Sequence, residues 1–294
     1  MKKTLLLIVL ALAVSGLRIT CNAIYGSGIP VHRLESWTTA VERGLMTIAH
    51  RGASGYAPEN TIAAFDQAVN MRADMLELDV QFSQDGHAVV IHDPTVDRTT
   101  DGKGAVQSLT LAQLQRLDAG SWYETSFRGE RIPTLEQVLE RYGGEVGLLI
   151  EVKEAVAAEG VERKLVDILQ PYMATGEENR PRVPLVVQSS DAAFLERLHK
   201  LAPELPLGVV ITRAGRLSHD DILGYAQYAD YISLPIRLVN KTSVGRIHQM
   251  GLKAFVWTMR NILQVPLVVE ASVDGIITDF PDMVPTHMRT YSEP

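Results

Sequence analysis

Two short stretches place carboxylates where an otherwise apolar strand would run. Met-Leu-Glu-Leu-Asp-Val carries Glu77 and Asp79 two residues apart, so both side chains leave the same face of an extended chain. Gly-Leu-Leu-Ile-Glu-Val-Lys carries Glu151 and Lys153 at the same spacing. Three carboxylates converging in an apolar setting cannot all remain ionised unless something positive joins them. A divalent cation does this, and an all-oxygen donor set favours Mg²⁺ or Ca²⁺ over Zn²⁺. The alternative is that the acids pair with Lys or Arg as structural ion pairs. Two histidines stand at the ends of neighbouring apolar runs: His50 in Ala-His-Arg-Gly and His92 in Ile-His-Asp. Beside a metal, such a pair suits general acid and base roles near neutral pH. Pro58-Glu59-Asn60-Thr61 reads as a loop that delivers Glu59 and Asn60 to the mouth, Glu59 as a candidate further metal ligand and Asn60 also as a fitting N-cap for the next helix.

These residues need elements that bring them together. Apolar runs at 47–49, 75–80, 147–152, 185–187, 207–211, 231–234, 254–256 and 275–278 alternate with helical patterns at 61–71, 135–142, 161–169, 192–201, 219–228, 242–250 and 262–270. Most of the runs are continuously apolar over about five residues, the mark of parallel strands covered on both sides. Eightfold strand–helix alternation predicts an α/β fold, a (β/α)₈ TIM barrel; an open doubly wound sheet is the alternative. In the barrel, the C-terminal strand ends form the active-site face, and there the acids and histidines would meet. Residues 88–92 break the alternation. The turn chemistry of Gln84-Asp85-Gly86 predicts that strand two runs on, turns, and returns antiparallel, bringing His92 and Asp93 back to the mouth. Residues 94–133 then form an insertion over one side of the mouth, with a short helix at 111–117.

At 294 residues, 46% hydrophobic and 21% charged, the chain has enough apolar material for one large core spanning 46–294. Net charge is −7, and −10 without the three cations of residues 1–23, which argues against nucleic acid as a partner. The single cysteine, Cys21, allows no internal disulfide. Residues 1–23 carry a Lys-Lys start, an apolar run at 5–14 and small residues beyond, the layout of an export signal. The run is shorter than the roughly 20 residues of a full span. It predicts export, either secreted after cleavage near Cys21-Asn22-Ala23 or retained at the membrane as an anchor, with 24–45 as a polar lead-in. A lipoprotein acylated at Cys21 is a further alternative.

Taken in order, His50-Arg51-Gly52, Pro58-Glu59-Asn60-Thr61, Glu77-Leu78-Asp79-Val80, Asp85-Gly86, His92-Asp93, Asp97-Arg98-Thr99-Thr100, Ile132-Pro133-Thr134-Leu135, Glu151-Val152-Lys153 and Thr278-Asp279-Phe280-Pro281-Asp282 resemble the glycerophosphodiester phosphodiesterase family over roughly 47–283. The resemblance implies metal ligation by Glu77, Asp79 and Glu151, with Glu59 joining in some members, and catalysis by His50 and His92. It implies phosphate contacts from Arg51 and Lys153, with Gln188 and Trp257 near the substrate pocket. The implied reaction is hydrolysis of a glycerophosphodiester to glycerol 3-phosphate and an alcohol. The sequence departs from the family at Ser190, where an aromatic often follows Gln-Ser, and at Arg260, where an Asn is common. Both departures fall on pocket contacts and bear on head-group preference.

In such a site the cation, Arg51 and Lys153 would stabilise the charge that grows on the phosphate. The glycerol hydroxyl would attack phosphorus in line, one histidine taking its proton while the other protonates the leaving alcohol. Water would then open the resulting cyclic phosphate. Two other functions fit parts of this pattern. A lysophospholipid substrate would need an apolar ramp at the mouth, for which Trp122, Tyr123 and Phe127 are candidates and equally good packing residues. A non-catalytic binding protein would be expected to lack one of the histidines or carboxylates, and all are present.

Overall fold

The computed structural model describes residues 44–153, 160–173 and 184–284. The predicted export segment, Cys21 and residues 24–43 of the lead-in lie outside them. No helix among the described residues is long and apolar enough to cross a membrane.

The strands are β1 Met46–His50, β2 Met75–Phe82, β3 Ala88–Val90, β4 Gly147–Val152, β5 Leu185–Ser189, β6 Leu207–Val210, β7 Tyr231–Pro235, β8 Lys253–Met259 and β9 Gly275–Thr278. All except β3 join one parallel sheet, which the β1–β2 pairing closes into an eight-stranded barrel. The open-sheet alternative is thereby excluded. Between the strands run α1 Ile62–Asn70, α2 Leu111–Leu114, α3 Leu135–Tyr142, α4 Val161–Met173, α5 Ala192–Leu201, α6 His219–Tyr225, α7 Lys241–Gln249 and α8 Val265–Glu270.

Most of the buried apolar side chains lie between the barrel and its helices. A second, smaller set fills the barrel interior: Ile48, Met75, Leu149, Val186, Phe255 and Ile277, with Tyr231 packed beside them. Because side chains alternate along a strand, the residues two positions further on point to the same interior. Those residues are His50, Glu77, Leu149's successor Glu151, Gln188, Ser233, Trp257 and Asp279. The barrel is thus filled with apolar side chains below and floored at its mouth by a polar layer that the same strand period dictates.

β2 extends beyond its barrel partners and pairs antiparallel with β3 through Val80↔Val90, Gln81↔Val89 and Phe82↔Ala88. The turn closes with Ser83 N–H donating to His87 O at 2.9 Å, and Gly86 takes φ +79°, which glycine adopts without Cβ strain. β3 is shorter than the predicted 88–92, yet Ile91 N–H still donates to Asp79 O at 2.9 Å, so His92 arrives beside Asp79. The insertion has its own small core of Val89, Ile91, Val96, Val106, Leu114, Ala119 and Ile132, which anchors it to the hairpin. Element ends differ from expectation in places. α2 stops at Leu114 and α6 at Tyr225, each closed by tight turns rather than by another helical turn. Residues 262–264 form a 3₁₀ turn, and α8 begins beyond it with Pro266 in its first turn, where a missing N–H costs nothing.

Candidate active site

Glu77 and Asp79 are each 1% exposed, and Glu151 lies opposite Asp79 in the β2–β4 register. One oxygen from each of the three falls within 4.8 Å of the others. Burial, with the charges of Asp79 and Glu151 close by, pushes the Glu77 carboxyl well above the usual carboxylate range; Arg51 and Lys153 offset this only in part. Burial would also raise Asp79, but Lys153 and Arg51 outweigh it and hold Asp79 low. Asp79 Oδ1 is buried without a hydrogen bond, although the Lys153 ammonium stands 2.9 Å away as an ion-pair partner. An oxygen-only cluster holding a buried carboxylate that resists ionising and a buried oxygen lacking a hydrogen bond fits a divalent cation. The ion-pair alternative is present alongside it: Lys153 bridges Asp79 and Glu151, the latter at 2.5 Å.

The loop after β1 supplies the rest of the positive charge. Arg51 and Asn60 both adopt left-handed backbone conformations, φ +57° and +58°, and Asn60 N–H closes the loop on Arg51 O at 3.0 Å. For residues with a Cβ this conformation costs about 1 kcal/mol each, and here it aims both at the carboxylates. Arg51 N–H donates to Glu77 Oε2 at 2.8 Å, while its guanidinium lies 3.1 Å from Asp79 Oδ2 and 2.7 Å from Glu59 Oε1. Asn60 is not the N-cap of α1; Thr61 caps it, freeing Asn60 to donate to Asp79 Oδ2 at 2.8 Å and accept from Asp79 N–H at 3.2 Å. Glu59 does not join the acidic cluster. Arg98 of the insertion holds both its oxygens at 2.8 Å, and Arg51 shares one of them.

The two histidines flank the cluster. His50 follows from β1, in register with Glu77, and His92 from the hairpin. His50 Nδ1 meets Asp279 Oδ1 at 2.5 Å, and His92 Nδ1 meets Asp93 Oδ1 at 2.6 Å. Neither Nε2 has a hydrogen bond within the described residues, which leaves both free for a ligand. Burial lowers the His92 pKa, so the ring rests neutral near pH 7.

Gln188 and Trp257 form one chain with the acids. Ser233 Oγ donates to Gln188 Oε1 at 2.7 Å, which turns the amide so that Nε2 donates to Glu151 Oε2 at 3.2 Å. Gly208, with no side chain opposite Gln188, leaves the amide room: a Cβ there would stand 3.2 Å from Gln188 Cβ. The Trp257 indole N–H donates to Ser233 O at 3.2 Å. Gln188 therefore orients a carboxylate, and only the half-buried ring of Trp257 is open to a ligand. Trp122, Tyr123 and Phe127 stack edge to face in the insertion with the Trp122 indole bonded to Ala119 O, while Trp122 remains 38% exposed. Asp279, Arg98 and Ser233 are site residues to which the sequence assigned no role, and Asp93 and Arg260, expected at the mouth and in the pocket, serve instead as partners of a histidine and of Asp279. The strand period that singled out Glu77 also places Ser233 and Asp279 inward.

A closed barrel with an acidic cluster, two histidines and two cations at the C-terminal strand ends defines a hydrolase-type site for an anionic substrate. Residues 50–283 match the Glycerophosphoryl diester phosphodiesterase family, and the chain belongs to it. It is 46% identical over 239 residues to YhdW of Bacillus subtilis, covering 81% of this chain and 95% of that protein. It is 38% identical over 243 residues to a glycerophosphodiester phosphodiesterase of Caldanaerobacter subterraneus subsp. tengcongensis, covering 81% of this chain and 95% of its relative. Among solved structures, an Oleispira antarctica phosphodiesterase in complex with the product sn-glycerol-3-phosphate superposes with a TM-score of 0.74 at 28% identity, covering 85% of this chain and 98% of that one.

Proposed function

We propose that this chain hydrolyses glycerophosphodiesters to sn-glycerol 3-phosphate and an alcohol, using a divalent cation held by Glu77, Asp79 and Glu151 and proton transfer by His50 and His92. The observation that carries the reading is the meeting of three carboxylate oxygens within 4.8 Å on the strand-end face that also presents both histidines. A bound Mg²⁺ or Ca²⁺ would supply Lewis-acid stabilisation of the phosphate charge. Arg51 and Lys153 would bind the phosphate oxygens from the rim of the same cluster. One imidazole Nε2 takes the proton of the attacking hydroxyl while the other gives a proton to the departing alcohol, and the roles reverse when water completes hydrolysis. The names of the family and of the Caldanaerobacter relative support the substrate class.

The test is release of glycerol 3-phosphate from glycerophosphocholine by the purified chain, stripped with a chelator and then reloaded with Mg²⁺ or Ca²⁺. Activity unchanged by chelation removes the metal from the reading, and no activity with either ion removes the reaction. Running the acylated substrate in parallel separates this reading from one in which a lysophospholipid is preferred. We further propose that residues 1–23 take the protein out of the cytoplasm, secreted or anchored on the far side of the membrane. Recovery of the intact, unprocessed chain in the cytosol would overturn that assignment.

A further inference from the structure

Each histidine is held in the same way from a different part of the chain. Beyond His50 Nδ1–Asp279 Oδ1, the second oxygen of Asp279 is taken by Arg260 Nε at 2.5 Å. Beyond His92 Nδ1–Asp93 Oδ1, the second oxygen of Asp93 is taken by Arg98 Nε at 2.7 Å. The histidines come from β1 and the hairpin, and the arginines from the loop after β8 and from the insertion. We propose that Asp279 with Arg260, and Asp93 with Arg98, are matched positioning pairs that hold each catalytic imidazole with a proton on Nδ1 and with Nε2 facing the substrate. This rests on the acid–base reading of His50 and His92.

The argument is one of donors and acceptors. An ionised carboxylate only accepts, so the neutral ring facing it must carry its proton on Nδ1. In the ring acting as base Nε2 is then a lone pair aimed at the site, and in the ring acting as acid Nε2 carries the second proton, with Nδ1–H held by the aspartate in both. Both aspartates stay ionised at any working pH. Burial would raise Asp279, but the His50 and Arg260 contacts outweigh it and hold it at about 2. The Arg98 hydrogen bonds hold Asp93 at about 2 as well. Arg260 bonds only the Asp279 oxygen that His50 leaves, whereas Arg98 grips both oxygens of Asp93, Oδ2 at 2.7 Å and the His92-facing Oδ1 at 3.1 Å. Asp279 is further steadied by Ser54 Oγ, 3.3 Å from Oδ1 and 2.8 Å from His50 O. Arg98 reaches one step more, because its grip on Glu59 carries through to Arg51, so a single guanidinium orients both an acid–base group and a phosphate ligand. Arg260 stands where the family resemblance leads one to expect Asn, and in this chain it is the residue that takes the second oxygen of Asp279.

The arrangement yields a prediction with an unusual sign. In Asp279→Asn, Arg260 still needs an acceptor and turns the amide oxygen to itself, which points the amide NH₂ at His50 Nδ1. The ring must then accept at Nδ1 and carry its proton on Nε2, the wrong tautomer for a base. The same substitution in a Ser-His-Asp triad lowers kcat about 10⁴-fold, and we expect a loss on the order of 10²–10⁴-fold here. In Arg260→Ala/Asp279→Asn the amide is free to rotate, present its oxygen to Nδ1–H, and recover about tenfold over the single variant.

The experiment combines kcat and KM for wild type, D279N, R260A and R260A/D279N with histidine ¹⁵N spectra of the full chain, assigned against His50→Ala. The expected result is Nδ1–H for His50 in wild type, Nε2–H in D279N, and partial return in the double variant, with KM little changed. A His50 ring that keeps Nδ1–H in D279N, or a double variant no better than D279N, overturns the proposal. A tautomer that switches as expected while His50→Ala stays fully active upholds the positioning pair and overturns the acid–base reading instead, so the two failures are separable. If D279N does not fold, R260A alone decides, since Arg260 is 63% exposed at its side chain and its removal leaves the core intact. A kcat reduced about three- to tenfold at constant KM upholds the arginine's part, and an unchanged kcat overturns it.

Discussion

Glu77→Gln removes one negative charge from a cluster in which three carboxylate oxygens lie within 4.8 Å. At that distance, with an effective dielectric constant of about 20, each like-charged neighbour costs about 3.5 kcal/mol. Lys153 and Arg51 return part of this, and proton uptake sets a ceiling. Holding an otherwise ordinary glutamic acid neutral at pH 7 costs about 3 kcal/mol, so repulsion cannot cost the protein more than that. Gln keeps the oxygen that accepts the Arg51 N–H and the volume that fills the site. With the metal removed by chelator, E77Q should therefore be more stable than wild type by about 1–3 kcal/mol, or roughly 2–10 °C in Tm for a domain of this size. Saturating Mg²⁺ or Ca²⁺ should reverse the order. The wild type gains about 2.7 kcal/mol at a hundred times the dissociation constant, and E77Q gains much less. Thermal unfolding of both proteins in chelator and in each cation measures this directly. An E77Q protein less stable than wild type in chelator, or an equal cation-induced gain in both, would refute the reasoning.

Replacing His50 or His92 with Ala should lower kcat by about 10²–10⁴-fold with cation binding intact, as titration calorimetry would show, and the double variant should be little worse than either single. The histidine that protonates the leaving group is the one whose loss matters less for a nitrophenyl ester, which departs without a proton. Ser233→Ala frees the Gln188 amide to turn away from Glu151, and cation affinity should fall about tenfold, read by calorimetry with no change at the histidines. Asp279, held at about 2, stabilises the fold fully above pH 4. That contribution, about 2 kcal/mol, is lost as pH falls through 2. Urea midpoints between pH 6 and pH 2 should drop more for wild type than for D279N, and parallel curves would contradict the assignment.

The barrel was legible because parallel strands covered on both sides read as continuous apolar runs, and β4 and α3 begin and end where the pattern placed them. The acids were legible because a charge in such a run has no structural excuse, and the period of two puts Glu77 and Asp79 on one face. Less could be read where chemistry depends on contacts between distant segments. His50 and Asp279 are 229 residues apart, and Arg98 reaches Glu59 across 39. No local spacing encodes either contact. Glu59 shows the same limit: it reaches Arg51 at the mouth, but the grip of Arg98, from another element, on its carboxylate is announced by none of its neighbours on the chain. Asn60 reaches the mouth as its loop suggested but does not cap the helix, since Thr61 beside it is an equally good cap and the choice between them depends on a buried Asp79 that only the fold supplies. Helix ends at Leu114 and Tyr225 were settled by turn hydrogen bonds rather than by any residue that forbids a helix.

The hydrogen-bonded groups at the mouth also have a charge balance. Glu59, Glu77, Asp79, Asp93, Glu151 and Asp279 face Arg51, Arg98, Lys153 and Arg260, so the carboxylates outnumber the cations by two when all six are ionised and by one while Glu77 holds its proton. One divalent ion at the cluster, with Glu77 ionised, would bring these groups to neutrality. Without such an ion, a phosphodiester monoanion would approach like charge focused in a cleft; with it, that repulsion would be gone. Admission of the substrate and occupancy by the ion would then be linked events. The product completes the cycle: a phosphomonoester, with its second ionisation near pH 6, carries more charge than the diester that entered. That extra negative charge is then in place to compete with the carboxylates for the ion and the cationic side chains, so the ionic composition around the protein would govern how readily product is released.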